Sequence, residues 1–279
     1  MKPKQLDRLA TGLLWLATAL VIALLIWFLV YILGRGLPYF TPGFFKSGGD
    51  GVGSQLFNSF YILLLSLVFS LPVGISAGIY LAEYAPNNKL TDLIRLSTES
   101  LATVPSIVFG LFGMIIFVNI LGLGFSIIGG AATLALLNLP ILVRVTEESI
   151  RAVPGSYKEA SLALGANMWQ TLRKVIIPTA LPGLITGVTL VAGRALGETA
   201  ILIFTAGMNV SRYLFDVNPL AAGETLAVHL FAVKSNPLPG TNAEQIADGT
   251  AALLIIMVLV FNLCLSLPVR WYQKRLLGK

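Results

Sequence analysis

Residues 147–198 read EESIRAVPGSYKEASLALGANMWQTLRKVIIPTALPGLITGVTLVAGRALGE. A long polar run sits between two apolar segments. It opens with Glu147-Glu148 and Arg151, passes through Glu159-Ala160-Ser161-Leu162-Ala163-Leu164-Gly165, and reaches Arg173-Lys174. It re-enters apolar sequence through Pro178 and Pro182, and deep in that segment stand Arg194 and Glu198. A plain surface connection does not need so much helical order, and a cation inside an apolar run is expensive unless it has a role.

The polar part reads as two short helices. Ser156-x-x-Glu159 has the spacing of a capping box, in which hydroxyl and carboxylate satisfy two orphan backbone donors. Gly165 suits the helix end, where the chain turns through positive φ. Asn167-x-x-Gln170 repeats the box and starts a second helix. Pro178 is expected to end it, because proline has no N–H to donate and disfavours helix just before it. Met168, Trp169 and Leu172 give this second helix an apolar patch. A polar helix pair with an exposed apolar patch is a docking surface.

The rest of the chain places that loop at a membrane. Of its 279 residues 56% are hydrophobic and 11% charged, against about 25% charged in soluble domains. Six apolar runs approach the roughly 20 residues a spanning helix needs: 11–34, 56–82, 99–121, 127–146, 180–207 and 250–270. The expected fold class is therefore an all-α polytopic membrane protein with six transmembrane helices and a cytoplasmic helix-turn-helix coupling loop. The first run follows Lys2, Lys4 and Arg8, but it is too long for a signal peptide and reads as a retained span. Asn138 and Pro140 interrupt the fourth.

Basic residues set the orientation. With the N-terminus inside, the inner segments hold fourteen Lys and Arg and the outer ones four, namely Arg35, Lys46, Arg212 and Lys234. That imbalance puts both termini and the coupling loop in the cytoplasm. The formal charge of +6 thus reports topology, and nucleic acid is not an expected partner. Expected units are 1–52 (first span and outer loop), 53–270 (a transport domain with its coupling loop at 147–179) and 271–279 (a cytoplasmic tail). Residues 35–55 read as an outer loop, and 220–233 as a short interfacial helix ended by Asn236-Pro237-Leu238-Pro239-Gly240.

Chemistry is limited by composition. Cys264 is the single cysteine and His229 the single histidine, so neither a thiolate cluster nor a His-based zinc or haem site is expected. No metal, cofactor or catalytic residue is expected. The chain contains no G-x-x-x-x-G-K-[ST], so ATP-driven transport would need a separate nucleotide-binding subunit. Pairs of glycines four apart (Gly74/Gly78, Gly183/Gly187, Gly193/Gly197) allow close helix packing and suggest that the fifth span is central.

Arg194 and Glu198 are four apart and would share one face of a continuous helix. One reading is a self-neutralising pair that tolerates burial. The other is a polar path, in which the guanidinium fork meets a tetrahedral oxyanion and Glu198 tempers its charge. Thr199, with Thr103 and Ser106, would add hydroxyls. Glu83, Asp92, Arg95 and Glu99 read as a solvated cytoplasmic face, and Glu224 and His229 as interfacial.

Glu159-Ala160-Ser161-x-x-x-Gly165, nine residues, then Val175-Ile176-Ile177-Pro178 resembles the E-A-A-x-x-x-G…I-x-L-P motif of ABC importer permeases, with Ser161, Val175 and Ile177 as small departures. The resemblance implies that this loop docks an ATPase subunit, through Glu159, Ala160, Gly165, Met168, Trp169 and Pro178. Gly78-Ile79-Tyr80-Leu81-Ala82-Glu83-Tyr84, Val104-Pro105-Ser106-Ile107-Val108-Phe109-Gly110-Leu111-Phe112, Leu139-Pro140-Ile141-Leu142-Val143-Arg144 and Arg194-Ala195-Leu196-Gly197-Glu198-Thr199-Ala200 are similar to the phosphate-specific importer permeases of the PstA type. This similarity covers nearly the whole chain. It implies the type I importer fold in a bacterial inner membrane, a PstC-type second permease, two PstB-type ATPases and a periplasmic or extracellular phosphate-binding protein, with Arg194 and Glu198 on the substrate path. Ile201 stands where a proline is expected, which would leave the fifth span more regular. The residues alone leave sulfate, molybdate and phosphonate open as alternatives. An ion-coupled carrier using Glu198 is disfavoured by the lack of internal repeats, and a bare membrane anchor would not explain Arg194.

Overall fold

A computed structural model describes residues 3–48, 51–211, 213–237 and 242–276, and these contain helices and turns but no strand. Lys2, Arg212 and Lys279 of the charge count, and Leu238, Pro239 and Gly240, lie outside the described residues. Among the described residues, five helices are long and apolar enough to cross a membrane, and a bent pair makes a sixth crossing.

Helix α1 (Pro3–Gly36) packs mainly against the last helix, α11 (Ala243–Leu276), and leaves its apolar surface exposed. Arg35 Nε meets Asp248 Oδ2 at 2.9 Å, and a Cβ on Gly36 would lie 2.3 Å from the Asp248 carbonyl oxygen, so the two helices touch closely there. The outer loop after α1 is more ordered than its glycines suggest. Phe40 and Phe44 stack, Phe45 meets both rings edge-on, and Val52 is fully buried.

The centre of the bundle is the fourth crossing, not the fifth. Helix α5 (Ile127–Arg151) packs against α2 (Gly53–Ile79) along much of its length, and also against α8 (Ile177–Leu196). The glycine pairs explain this. Added Cβ atoms on Gly74 and Gly78 would come within 2.7 Å of the Leu142 Cβ and 2.5 Å of the Thr146 Cβ. On the other side, Gly183 and Gly187 would collide with Ser149 and Val145, both at 2.5 Å. Missing side chains on both neighbours let α5 sit between them at backbone distance. Pro140 and Asn138, which seemed to weaken this crossing, are buried within α5, where the packed neighbours compensate for the proline.

Two expected spans are broken. The third is a surface-lying α3 (Lys89–Ala102) followed, after a 96° bend, by α4 (Ser106–Gly113) with a wide turn, Met114–Ile120. Pro105 causes the break: it takes φ −56° and ψ 137°, and it excludes Val104 from the helical region. The fifth crossing stops at Leu196 and resumes as α9 (Ala200–Thr205). The expected outer helix is present as α10 (Leu226–Ser235), started by the Thr225 hydroxyl accepting from the Val228 N–H.

Placing a leucine at Gly78 should be severe. Overpacking a filled seam costs about 1–3 kcal/mol, so Gly78→Leu is expected to lower the melting temperature of the detergent-solubilised protein. Gly12→Leu, where nothing lies within 4 Å, should leave it unchanged. Equal melting temperatures would refute the seam.

Candidate functional site

The coupling loop folds as a hairpin of α6 (Gly155–Ala163) and α7 (Met168–Thr171). Its turn is closed as the sequence demands. Gly165 takes φ +86°, its N–H donates to the Leu162 carbonyl at 2.9 Å, and the Ala166 N–H donates to the Ser161 carbonyl at 3.3 Å. These two bonds satisfy the last carbonyls of α6 and require a residue that tolerates positive φ. Asn167 and Gln170 form the expected capping box, at 2.8 and 2.9 Å. Ser161 also has a use: its hydroxyl lies 2.9 Å from the Thr171 hydroxyl and ties α6 to the next helix.

Two local expectations fail. Pro154, with φ −56° and ψ 131°, is the residue that starts α6; Ser156 falls inside the first turn and makes no capping bond. Nor does Pro178 end a helix. The chain is helical without interruption from Met168 to Leu196. A widened turn at Leu172–Ile176 precedes the proline and absorbs its missing donor and its clash with the preceding turn. The second coupling helix is therefore one rod with the membrane helix above it.

The hairpin presents an outer surface. Glu159 and Ala160 are exposed, and Met168 and Pro178 are half-buried. Trp169 is 62% exposed, whereas Leu172, expected beside it, is fully buried against Ile150, Ile176, Ala180 and Leu184. Its place is taken by Leu164, 89% exposed at the tip, and by Tyr157. Leu164 was legible as the residue before a positive-φ glycine, a position that projects outward.

Charges once read as a solvated face form a network behind this hairpin. Glu147, with an 11% exposed side chain, accepts from Arg95 Nε at 2.8 Å and from Arg151 at 2.9 Å. Arg95 also reaches Asp92 at 3.3 Å and the Leu81 carbonyl at 3.2 Å. Arg144 bridges Glu148 and Glu99, both at 2.9 Å. Lys158 of α6 reaches Glu83, on the wide turn Tyr80–Tyr84 that ends α2, at 2.6 Å. Three of these pairs have helical i,i+3 or i,i+4 spacing. The pairs that join different elements, Arg95–Glu147, Arg144–Glu99 and Lys158–Glu83, are far apart in sequence, and spacing gave no hint of them. On the outer side, Glu224 is buried. It accepts from Gln55 at 2.9 Å and lies 2.6 Å from His229 Nδ1, so neither Glu224 nor His229 is interfacial.

The second candidate site is the break after α8. Arg194 and Glu198 do not share a helix face, because the helix ends between them. Arg194 lies half-buried in the last turn, where the free carbonyls favour a cation. Among the described residues no carboxylate lies within ion-pair distance of it. Glu198 and Thr199 are half-buried in the break itself, with the Thr199 hydroxyl donating to the Gly197 carbonyl at 3.4 Å. Ile201 does not restore regularity. It is fully buried, and α9 is held by α4 instead: a Cβ on Gly110 would lie 3.1 Å from the Ala200 carbonyl oxygen and the Ile201 Cα. Ser106 is one turn before Gly110 and half-buried, on the side of α4 that faces this break; Thr103 is exposed and donates to its own helix at Ser100.

The depth of the break follows from contacts on α5. Gly187 is level with Val145, and Gly130 is level with Leu202 and Ala206, so residues 197–199 fall between those levels, within the crossing. Irregular backbone at that depth cannot face lipid; it must be buried in protein or line a wet cavity. Gly197 is exposed in the single chain.

Residues 74–278 match the family described as binding-protein-dependent transport system inner membrane component. The chain belongs to that family. It is 45% identical to the probable ABC transporter permease protein YqgI of Bacillus subtilis, over 97% of this chain and 96% of the relative. It is 32% identical to the phosphate transport system permease protein PstA of Haemophilus influenzae, over 92% and 91%. Two solved structures share the fold. One is an inward-facing MetNI methionine ABC transporter, with TM-score 0.62, 20% identity and coverage of 77% and 93%. The other is a bacterial ABC transporter that imports alginate, with TM-score 0.64, 15% identity and coverage of 94% and 98%. The protein is an ABC importer permease subunit, a membrane component that works with another permease, ATPase subunits and a binding protein. Membership in this family sets aside the ion-coupled carrier and the bare anchor.

Glu147→Leu should destabilise the hairpin end of the bundle, because it removes the largely buried carboxylate that Arg95 and Arg151 share. Removing one member of a largely buried pair costs roughly 2–4 kcal/mol. The expected outcome is a clear fall in melting temperature and faster proteolysis after Arg95; an unchanged melting curve would refute the clamp.

Proposed function

We propose that this chain is the PstA-type half of an ATP-driven phosphate importer, with a PstC-type permease completing the path. The observation that carries this reading is Arg194: a half-buried guanidinium with no carboxylate partner among the described residues, beside a break within the crossing whose Gly197 is exposed. An unpaired fork at that depth suits a tetrahedral oxyanion passing in a water-lined channel. Glu198 and Thr199, one and two residues into the irregular segment, and Ser106 on α4 face the same region; Thr103 has the weakest case, since its hydroxyl is already used. Phosphate, rather than sulfate, molybdate or phosphonate, rests on the likeness to PstA proteins.

The hairpin of α6 and α7 is the coupling loop, docking a PstB-type ATPase through Glu159, Ala160, Met168, Trp169 and the exposed Leu164. Gly165 shapes its turn, and Pro178 sets the wide turn that joins it to α8. Both termini and this hairpin lie in the cytoplasm of a bacterial cell, and the outer helix α10 faces the phosphate-binding protein. The transport domain spans 53–270, preceded by the first crossing at 1–52 and followed by the tail at 271–279.

Arg194→Ala in the complete importer should reduce phosphate uptake about thirtyfold or more, as expected when a partially desolvated charge contact is truncated. Assembly and ATP hydrolysis should survive. Arg194→Lys, which keeps charge but loses the fork, should retain partial uptake. Normal uptake by the alanine variant would refute the path. Excess sulfate, molybdate or phosphonate that competes as well as phosphate would refute the specificity.

Docking has its own test. Glu159→Lys, Leu164→Asp and Gly165→Pro are each expected to abolish co-purification of the ATPase with membranes. Retention of the ATPase by all three would refute the assignment.

A further inference from the structure

Helix α6 has an unusual attachment. It buries none of its own side chains, so no apolar face glues it to the bundle. Two polar contacts hold it instead. One is the Ser161–Thr171 hydroxyl pair, which ties it to α7 and so to the α8 rod. The other is Lys158 to Glu83 at 2.6 Å, which ties it to the end of α2.

The Glu83 end of that contact is firm. Its side chain is only 10% exposed. It stands on the wide turn Tyr80–Tyr84, one turn beyond Ile79 and alongside Ala82, which pack on the cytoplasmic apolar cluster of Ile150, Leu172 and Ile176. Within the same helical run, Gly74 and Gly78 lock α2 against α5. A displacement of α6 therefore reaches α8 through one contact and the α2–α5 pair through the other. Widened turns sit at both junctions, Tyr80–Tyr84 and Leu172–Ile176. Such turns are helical segments that deform more readily than regular helix and recur at functional sites.

We propose that the Lys158–Glu83 ion pair is the link that transmits movement of the docked ATPase to the α2–α5 pair, so that α2 and α8 are driven together. Lys158 and Glu83 are positioning residues and do not touch the substrate. This inference rests on the reading of α6 and α7 as the coupling loop. It adds that docking and transmission are separable: Glu159 and the hairpin tip hold the motor, and Lys158, on the inner side of the same helix, passes its stroke on.

The test uses the complete importer with its partner permease, ATPase subunits and binding protein, reconstituted in lipid vesicles. In Lys158→Met and Glu83→Gln variants the ATPase should co-purify as in the parent and ATP should still be hydrolysed. Phosphate moved per ATP should fall about tenfold, a typical coupling magnitude. The charge swap, Glu83→Lys with Lys158→Glu, should recover most of that ratio, which assigns the effect to the pair rather than to either residue alone; unchanged ATPase binding and hydrolysis separate it from a loss of structure. If Glu83→Gln, the more buried change, fails to fold, Lys158→Met decides alone. A ratio within twofold of the parent, loss of the ATPase from Lys158→Met, or a swap that recovers nothing would each overturn the proposal. A second readout does not depend on the substrate. Spin labels at Phe69 on α2 and Leu259 on α11, with Cys264 replaced by serine, should change separation when a non-hydrolysable ATP analogue is added to the parent. That change should vanish in Lys158→Met while the ATPase stays bound; if it persists, the link is refuted. A parent complex that shows the distance change but moves no phosphate would count against the phosphate reading and leave the link standing.

Discussion

The close approach of α2 and α8 to α5 is the constraint on which the rest of the molecule depends. Inside a bilayer, lipid competes with side chains for apolar contact, so helices associate mainly through close packing and interhelical polar contacts. Gly74 and Gly78 on one side of α5, and Gly183 and Gly187 on the other, supply the closeness. The seam has a definite register, and that register fixes the depth of everything attached to it. Arg95 reaches Glu147 because α3, which follows the end of α2, packs against α5. The break after Leu196 falls in the middle of the crossing only because α8 is pinned to α5 at Gly187.

Rigid packing at the seam contrasts with the two places where helices stop. Both breaks have small residues or proline at the decisive position: Val104-Pro105 in the third crossing and Gly197 in the fifth. The break after α8 is stabilised from outside, by α4 lying against the α9 backbone at Gly110. Backbone groups freed there need a partner, and water in a path is one way to supply it. An arginine in the last turn of α8 is stabilised by the same free carbonyls. Local helix electrostatics therefore favour a cation at the point where an anion would need one, and a carboxylate partner on the helix face is not required to hold it.

Much of this was legible in the sequence. Apolar runs gave the crossings, and Gly165, Asn167 and Gln170 gave the turn of the hairpin and the start of its second helix. What the sequence could not show was what depends on tertiary neighbours. A mostly apolar run looks like one span whether or not the backbone bends inside it, so the signals at the two breaks, Pro105 and Gly197-Glu198-Thr199, were outweighed by their apolar flanks. Pro178 reads as a terminator because the widened turn that accommodates it has no sequence signature. Glu83, Arg95 and Glu99 read as ordinary surface charges because their partners Lys158, Glu147 and Arg144 lie far away in the chain. Among the site residues, Leu172 was assigned to the wrong side of its helix. The period alone does not say which face meets Ile150.

Charge is distributed unequally between the two halves of the membrane region, and this asymmetry has a mechanical sense. Among the described residues, most ion pairs between Arg or Lys and carboxylates gather where α2, α3, α5 and α6 meet at the hairpin end. Each is individually weak where exposed, but Glu147 and Glu83 are largely buried, and a network that shares members resists distortion better than isolated pairs. The hairpin end is thus a stiff, cross-braced platform. The middle of the bundle is held mainly by close packing, with Arg194 and Glu198 beside an irregular segment. A stiff platform joined to a crossing that is already broken is the arrangement a lever at the hairpin would require.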